Sequence, residues 1–536
     1  MAWERRAVAV AAATPASVVV MHALAALQGT WFGPSSAENA AALVIPVTAA
    51  GIAFWIRPRS SIGLVVAGLI ALALALSGVL AWGFLPLSAF MGWSVCTVAA
   101  RIERALPESI NGAWNRQRKK SLAWATLALI MIFQISRLST FMADPDSAWG
   151  STFPPVEFTV GHMCMASYVH AAELSREGDL NLYDPKHYPN FKLTEAEDID
   201  TPVDGLQPYL DDSFHYPPPF LLLPRTWLAL TNDYLVMRTV WFAAQLLAFV
   251  GFAVLLALWV GGSARVWALW LLPLVIGTMP SMFNFQFGQI HVFTIWTAMA
   301  GMLAFELKRP ALGGLFLAGC IASKLFPGVL VIYLLLQKRW RDLAWTALFG
   351  AAFSALTLAV LGTVPFERFF RFLLPRLISG EAFSFVTESL VITTNLSVPG
   401  TVWKLDFLGI EGGDALLGPV STVYTVLLLI VTWFAARLDV DRLGRVQLWL
   451  ALLILASLRS PLVPIYGVAP VLWLMSLEID RVSTVKGFAW FGISWFLISS
   501  VPPAPNPVVT IALFGASQLA MLYWVLKPFS LGRAAT

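Results

Sequence analysis

Charge is what this chain has least of. Asp, Glu, Lys and Arg make up 12% of its 536 residues, about half the share of soluble domains. Hydrophobic residues make up 58% and the mean hydropathy is +0.73, so a soluble globular domain is excluded. Cysteine is scarce too. Cys96, Cys164 and Cys320 lack metal-ligand spacing and imply no disulfide framework. The alternating pattern of a barrel strand is missing, which leaves helices as the way across a bilayer. No strong internal repeat is visible, against the transporter folds built from inverted repeats. No clean small-residue cleavage site follows Arg5-Arg6 and the apolar run after it, so the N-terminus reads as a first span rather than a signal peptide.

What is present is a series of apolar segments, the first near 8–28 and the last near 508–527. Many approach the ~20 residues that cross a hydrocarbon core as helix. The fold expected is an all-α polytopic integral membrane protein with about 16 transmembrane helices, within a range of about 14–16. The segments around 310–338 are short enough to be two tight spans or a re-entrant pair. Lys and Arg gather at Arg5-Arg6, Arg57 and Arg59, Arg101 to Lys120, Lys308-Arg309, Lys338 to Arg341, Arg437 to Arg445 and Lys527 to Arg533. Placing all of these in the cytoplasm predicts that both termini are cytoplasmic and that loops 143–233 and 363–415 face outward. The expected division is 1–100, N-terminal hairpins; 101–121, a basic linker; 122–480, a core carrying both outer loops; and 481–536, a C-terminal hairpin.

Loop 143–233 differs from the rest. It holds 15 of the 31 carboxylates and only four Lys or Arg. A loop of that length is seldom mere connection. It opens with Asp144 and Asp146, shows helical character around Ala171 to Glu177, and closes on His215-Tyr216-Pro217-Pro218-Pro219. The run Phe220 to Leu230 is too short to span and suits a helix lying in the interface.

Three further places hold polar groups in apolar surroundings. Asn284 to His291 is an outer turn with Gln286, Gln289 and His291 beside Gly288; it reads either as a hydrated loop or as a set of hydrogen bonds to a polyhydroxylated ligand. Lys324 stands in an apolar stretch before Pro327, where a cation must snorkel, pair or bind an anion. Arg368, Arg371 and Arg376 sit on a Phe-rich amphipathic stretch, either held by lipid headgroups or clamping a phosphate. Glu388, Asn395 and Ser397 follow. Arg137, Arg238 and Arg459 have no account beyond snorkelling at helix ends.

In order along the chain stand an outer Ala171-Ala172 helix, Gly178 and Leu182-Tyr183-Asp184. Then come Tyr216-Pro217-Pro218, Gly288-Gln289 before His291, and Gly313 to Lys324 with Pro327. Trp340-Arg341, Asn395-x-Ser397 and Gly400 complete the set. This ordered set resembles glycosyltransferase family 87 of the GT-C superfamily, over about residues 121–480. The resemblance implies a hexosyltransferase of the bacterial cytoplasmic (inner) membrane with its active site facing the periplasm or exterior. A polyprenyl-phosphate sugar, most often mannose, would be the donor and a lipid or glycan the acceptor. Membrane lipids are the other expected partners. Neither a metal nor another cofactor is implied, and no nucleic acid. In an inverting transfer one carboxylate deprotonates the acceptor hydroxyl, and cations such as Lys324 and some of the arginines (Arg368, Arg371) would stabilise the leaving phosphate. His162, Tyr168, His215, Tyr216, Gln289, His291 and Asn395 complete the expected substrate-binding set.

One departure stands out. The family's usual Asp, four residues before the aromatic that begins the Ala-Ala helix, falls on Cys164 when counted from Tyr168. Asp146, Glu157 and Asp144 are then the candidate bases, with His162 as an auxiliary base or sugar ligand. The rival readings are an arabinosyl or glucosyl transferase of the same fold, a transporter or flippase of lipid-linked sugars, and a structural partner whose acidic loop docks another protein.

Overall fold

The computed structural model describes residues 3–32, 37–77, 80–105, 118–152, 160–188, 206, 213–383 and 389–531. Among these every regular element is a helix. Glu157, Glu388 and most of the acidic run from Glu195 to Asp212 lie outside the described residues.

Contacts gather within two compact units. The first comprises Met1–His162, Leu230–Val250 and Leu269–Gly277. Its helices Trp3–Phe32, Ala37–Ile56, Ser60–Leu76 and Leu85–Ala105 pack closely because small residues sit where they cross. A Cβ added to Gly63 would lie 2.1 Å from the Gly92 carbonyl oxygen. Arg118–Ala143 also packs on the first two helices, and His22 Nδ1 meets Ser139 Oγ in a buried hydrogen bond. Most of the expected linker 101–121 lies outside the described residues.

Arg238 receives an account here that snorkelling does not give. It is fully buried, and its guanidinium donates to the carbonyls of Phe141 at 2.8 Å and Met142 at 3.3 Å. The same group lies 4.5 Å from the Phe141 ring centroid. A cation on the last carbonyls of a helix satisfies orphan acceptors and opposes the negative end of the helix dipole.

The second unit comprises Met163–Ala229, Gly251–Ala268 and Thr278–Thr536. Ile290–Glu306, Pro310–Ser323 and Trp340–Leu361 pack against one another. Gly314 permits the closest approach, since a Cβ there would stand 2.7 Å from the Trp345 backbone. Their basic ends are tied by carboxylates. Glu306 accepts from Arg339 and from Arg445, each at 2.6 Å, and Arg339 also reaches Asp342 at 2.6 Å. Fully buried Glu478 pairs with Arg481 and Lys527, each at 3.0 Å.

Among the described residues, several of the apolar runs form helices shorter than a full span. Five described helices are long and apolar enough to cross a membrane by themselves: Trp82–Arg101, Tyr234–Val260, Trp340–Leu361, Gly413–Ala435 and Pro507–Ser530. Seven shorter apolar helices accompany them. Proline and glycine account for much of the difference. The run near 264–282 breaks at Gly277-Thr278, ahead of Pro280. The pair at 310–338 becomes Pro310–Ser323 and Gly328–Leu336, about 21 and 14 Å long. The run near 461–478 becomes α-helical only at Ala469, after Pro461 and Pro464.

Candidate functional site: a phenol, amide and cation cluster

The site grows from one turn. Met279–Gln286 ends, Gly288 takes a φ of +62°, and the chain reverses into Ile290–Glu306. That φ is available to glycine at little cost. Asn284 brackets the turn: its carbonyl accepts from Gln289 N at 3.1 Å and its side-chain oxygen from Val292 N at 3.4 Å. Met165 N donates to Phe287 O at 3.2 Å. That bond docks the start of the Cys164–Glu177 helix against the turn and places Tyr168 over Gln289.

Tyr168, Tyr216, Gln289 and Tyr466 then form one hydrogen-bonded group. The two phenol oxygens of Tyr168 and Tyr216 are 3.0 Å apart, and each hydroxyl lies 3.1 Å from Gln289 Oε1. Gln289 Nε2 donates to Tyr466 OH at 3.2 Å. Tyr168 also accepts from Ile290 N at 3.3 Å. Tyr168, Tyr216 and Gln289 are all buried, where polar groups need partners and reward them. Edge contacts of Tyr168 with Tyr216 and Phe220, at 4.8 and 5.0 Å, fix the ring orientations. Tyr183 OH holds the Tyr216 carbonyl at 2.9 Å.

Lys324 supplies the charge. The Pro310–Ser323 helix ends at it, and its backbone is extended before Pro327. Its ammonium lies 5.4 Å from the Tyr216 ring centroid, within reach of a cation–π attraction. Its field acts on both His215 and His291. Burial first, and then this neighbouring cation, push His215 down to about 4, so its imidazole is neutral at pH 7. His291 stacks on Phe326 at 5.0 Å, and its buried Nε2 has no hydrogen-bond partner among the described residues.

Six expected residues are thus interlinked: Tyr168, His215, Tyr216, Gln289, His291 and Lys324. Asn395 is occupied otherwise. Its amide donates to Pro461 O at 2.8 Å and accepts from Ser397 N at 3.0 Å and Val463 N at 2.9 Å. Gly400 leaves room for it, since a Cβ there would stand 2.3 Å from Asn395 Nδ2 and 2.1 Å from Pro461 O. Asn395 therefore shapes the segment that carries Tyr466. Arg368 is exposed, and exposed Arg371 pairs with Glu367 at 2.7 Å. Their stretch anchors through Phe369, whose ring lies 5.9 Å from that of Tyr183.

In the first unit, Asp144 closes the end of its own helix. Its carboxylate accepts from Asp146 N at 3.1 Å and Ser147 Oγ at 2.6 Å. Asp146 is exposed. Burial pushes His162 down to about 4. Sequence reasoning missed Tyr466, which was read as part of an apolar span; the prolines before it were the available signal. Phe326 and Asn284 stood inside quoted motifs without an assigned role. Among the described residues no three His, Cys, Asp or Glu side chains gather as metal ligands.

Residues 214–463 match glycosyltransferase family 87. A polyprenol-phosphate-mannose-dependent alpha-(1-2)-phosphatidylinositol pentamannoside mannosyltransferase of Mycolicibacterium smegmatis (strain ATCC 700084 / mc(2)155) is 25% identical over 256 residues. That alignment covers 44% of this chain and 57% of the relative, so the chain spans little more than half the length of that relative. No solved structure matches. The matched stretch begins just before His215 and includes Tyr216, Gln289, His291 and Lys324, whereas Asp144, Asp146, Glu157, His162 and Tyr168 precede it. Across residues 214–463 this membrane protein is therefore similar to glycosyltransferase family 87.

Proposed function

We propose that the protein is an inverting glycosyltransferase. It would move a hexose, mannose by preference, from a polyprenyl-phosphate sugar to a lipid or glycan acceptor at the outer face of the cytoplasmic membrane. The observation that carries this reading is the convergence of Lys324, His215 and His291 on a buried phenol–amide group. A leaving polyprenyl phosphate gathers negative charge as the glycosidic C–O bond breaks. A fixed ammonium at that oxygen stabilises the transition state more than the ground state. The buried, unpartnered His291 Nε2 offers a hydrogen bond to a phosphate oxygen or a sugar hydroxyl. Attack from the opposite face needs a carboxylate that takes the acceptor's proton, with Asp146 and Glu157 as first choices and Asp144 as the third.

The test uses the full chain in liposomes, supplied with radiolabelled polyprenyl-phosphate mannose and a membrane-lipid extract. Label should pass into a lipid or glycan product. Absence of transfer with mannosyl, glucosyl and arabinosyl donors alike would end the enzyme reading. Movement of intact donor across the bilayer without transfer would favour a flippase.

A further inference from the structure

Arg459 is a cation in an apolar stretch that the cluster above does not use. It follows directly on the end of the Arg442–Ser457 helix, in an apolar stretch. Its side chain donates to Thr425 Oγ1 at 3.2 Å, and among the described residues no carboxylate pairs with it. A charge in hydrocarbon surroundings is costly and marks a functional site by default. Thr425 lies on Gly413–Ala435, one of the five full-length apolar helices. Gly418, Ser421 and Thr422 lie on the same helical face as Thr425, by their spacing of three and four residues.

Gly418, Ser421 and Thr422 form one wall of a groove of about 480 Å³, the size of a ligand site. Arg459, Ser421 and Thr422 give the groove a polar side. Buried Ser421 Oγ has no hydrogen-bond partner among the described residues. The opposite wall is apolar: Phe370, Leu374 and Ile378 of the segment 364–379. Phe370 and Ile378 are 58% and 53% exposed, open to whatever fills the groove. A cation and an orphan hydroxyl beside an aliphatic and aromatic wall match one kind of molecule: an amphiphile with an anionic head and hydrocarbon chains.

We infer that this groove is a lateral binding site for one anionic membrane lipid, its phosphate on Arg459 and Ser421 and its chains along Phe370, Leu374 and Ile378. None of its lining residues belongs to the Lys324 cluster, and it does not depend on the transfer reaction. A free phosphate would leave the apolar wall uncovered, and a zwitterionic head would bring its own cation to Arg459.

Native mass spectrometry of the full chain in detergent tests this. The delipidated protein is offered phosphatidylglycerol, phosphatidylcholine or inorganic phosphate. One phosphatidylglycerol should be retained at least tenfold more than phosphatidylcholine, and millimolar phosphate should not displace it. Arg459→Gln should lower retention about tenfold. Gly418→Leu should do the same by filling the groove, and its first carbon has room, because a Cβ on Gly418 meets nothing within 4 Å. The inference is overturned by equal retention of the two lipids, by displacement with phosphate, by wild-type retention in Gly418→Leu, or by a protein dimer that forms in place of lipid binding.

Discussion

The hydroxyl of Tyr168 lies 3.0 Å from that of Tyr216, and the two phenols share the side-chain oxygen of Gln289 as acceptor. One amide thereby joins the helix Cys164–Glu177, the Pro-rich stretch of chain before Pro218–Leu221, and the turn that begins Ile290–Glu306.

Replacing that amide removes the acceptor that the two phenols share. Gln289→Leu should cost roughly 1–3 kcal/mol, because the hydroxyls keep each other at 3.0 Å while one of them loses its acceptor. Thermal unfolding in detergent measures it. Gln289→Glu keeps the acceptor and should recover most of the loss; equal damage from both variants would remove the shared-acceptor role.

Lys324→Met should lower the turnover number by about 10²–10³ with a small change in KM, because in the proposed transfer the charge acts on the departing phosphate. Lys324→Arg should restore part of the rate. A change confined to KM would assign Lys324 to ground-state binding instead.

His215 makes stability depend on pH. Its native value near 4 lies below its ordinary 6.5, so between those limits the unfolded chain binds a proton that the native state refuses. Stability should therefore fall as pH drops from 6.5 towards 4, by about 3 kcal/mol in all. His215→Gln should flatten that part of the profile in a denaturation series. An unchanged profile would mean that the acid sensitivity comes from other groups, His162 among them.

Arg238→Met should destabilise the first unit by roughly 2–4 kcal/mol, since two buried carbonyls lose their cationic donor. Turnover per folded molecule should stay at the wild-type level. The unfolding midpoint and the specific activity of the surviving fraction separate the two effects.

Among the candidate bases, Asp146→Asn and Glu157→Gln should be compared with Asp144→Asn in parallel. Loss of the base should lower transfer by about 10²–10⁴. The carboxylate of Asp144 already holds two groups of its own turn, and Asn can replace part of that, so its variant is expected to keep the most activity. Full rates in all three would place the base elsewhere.

Much of the candidate cluster was legible in the linear chain. Gln289, His291 and Lys324 are polar or charged residues set in apolar surroundings, and such residues persist in a membrane protein only with a partner or a purpose. Tyr466 was not legible, because a tyrosine in an apolar run looks like any other aromatic until its hydroxyl meets Gln289, 177 positions away. Asn395 was misleading for the same reason. Its sequence setting suggests a ligand contact, while its amide binds a backbone segment 66 to 68 positions further on.

Composition and hydropathy alone determined that this chain is helical and apolar, that its acids concentrate in one loop, and where the polar residues interrupt it. Those properties follow from local chemistry: unpaired backbone is intolerable in lipid, and charge is expensive there. Tertiary structure decided which interruptions act together. It separated Asn395, occupied by backbone, from Gln289, which joins three phenols, and it turned Arg238 into a helix cap. Hydrogen bonding is short-ranged and directional, so only folding could choose the partners.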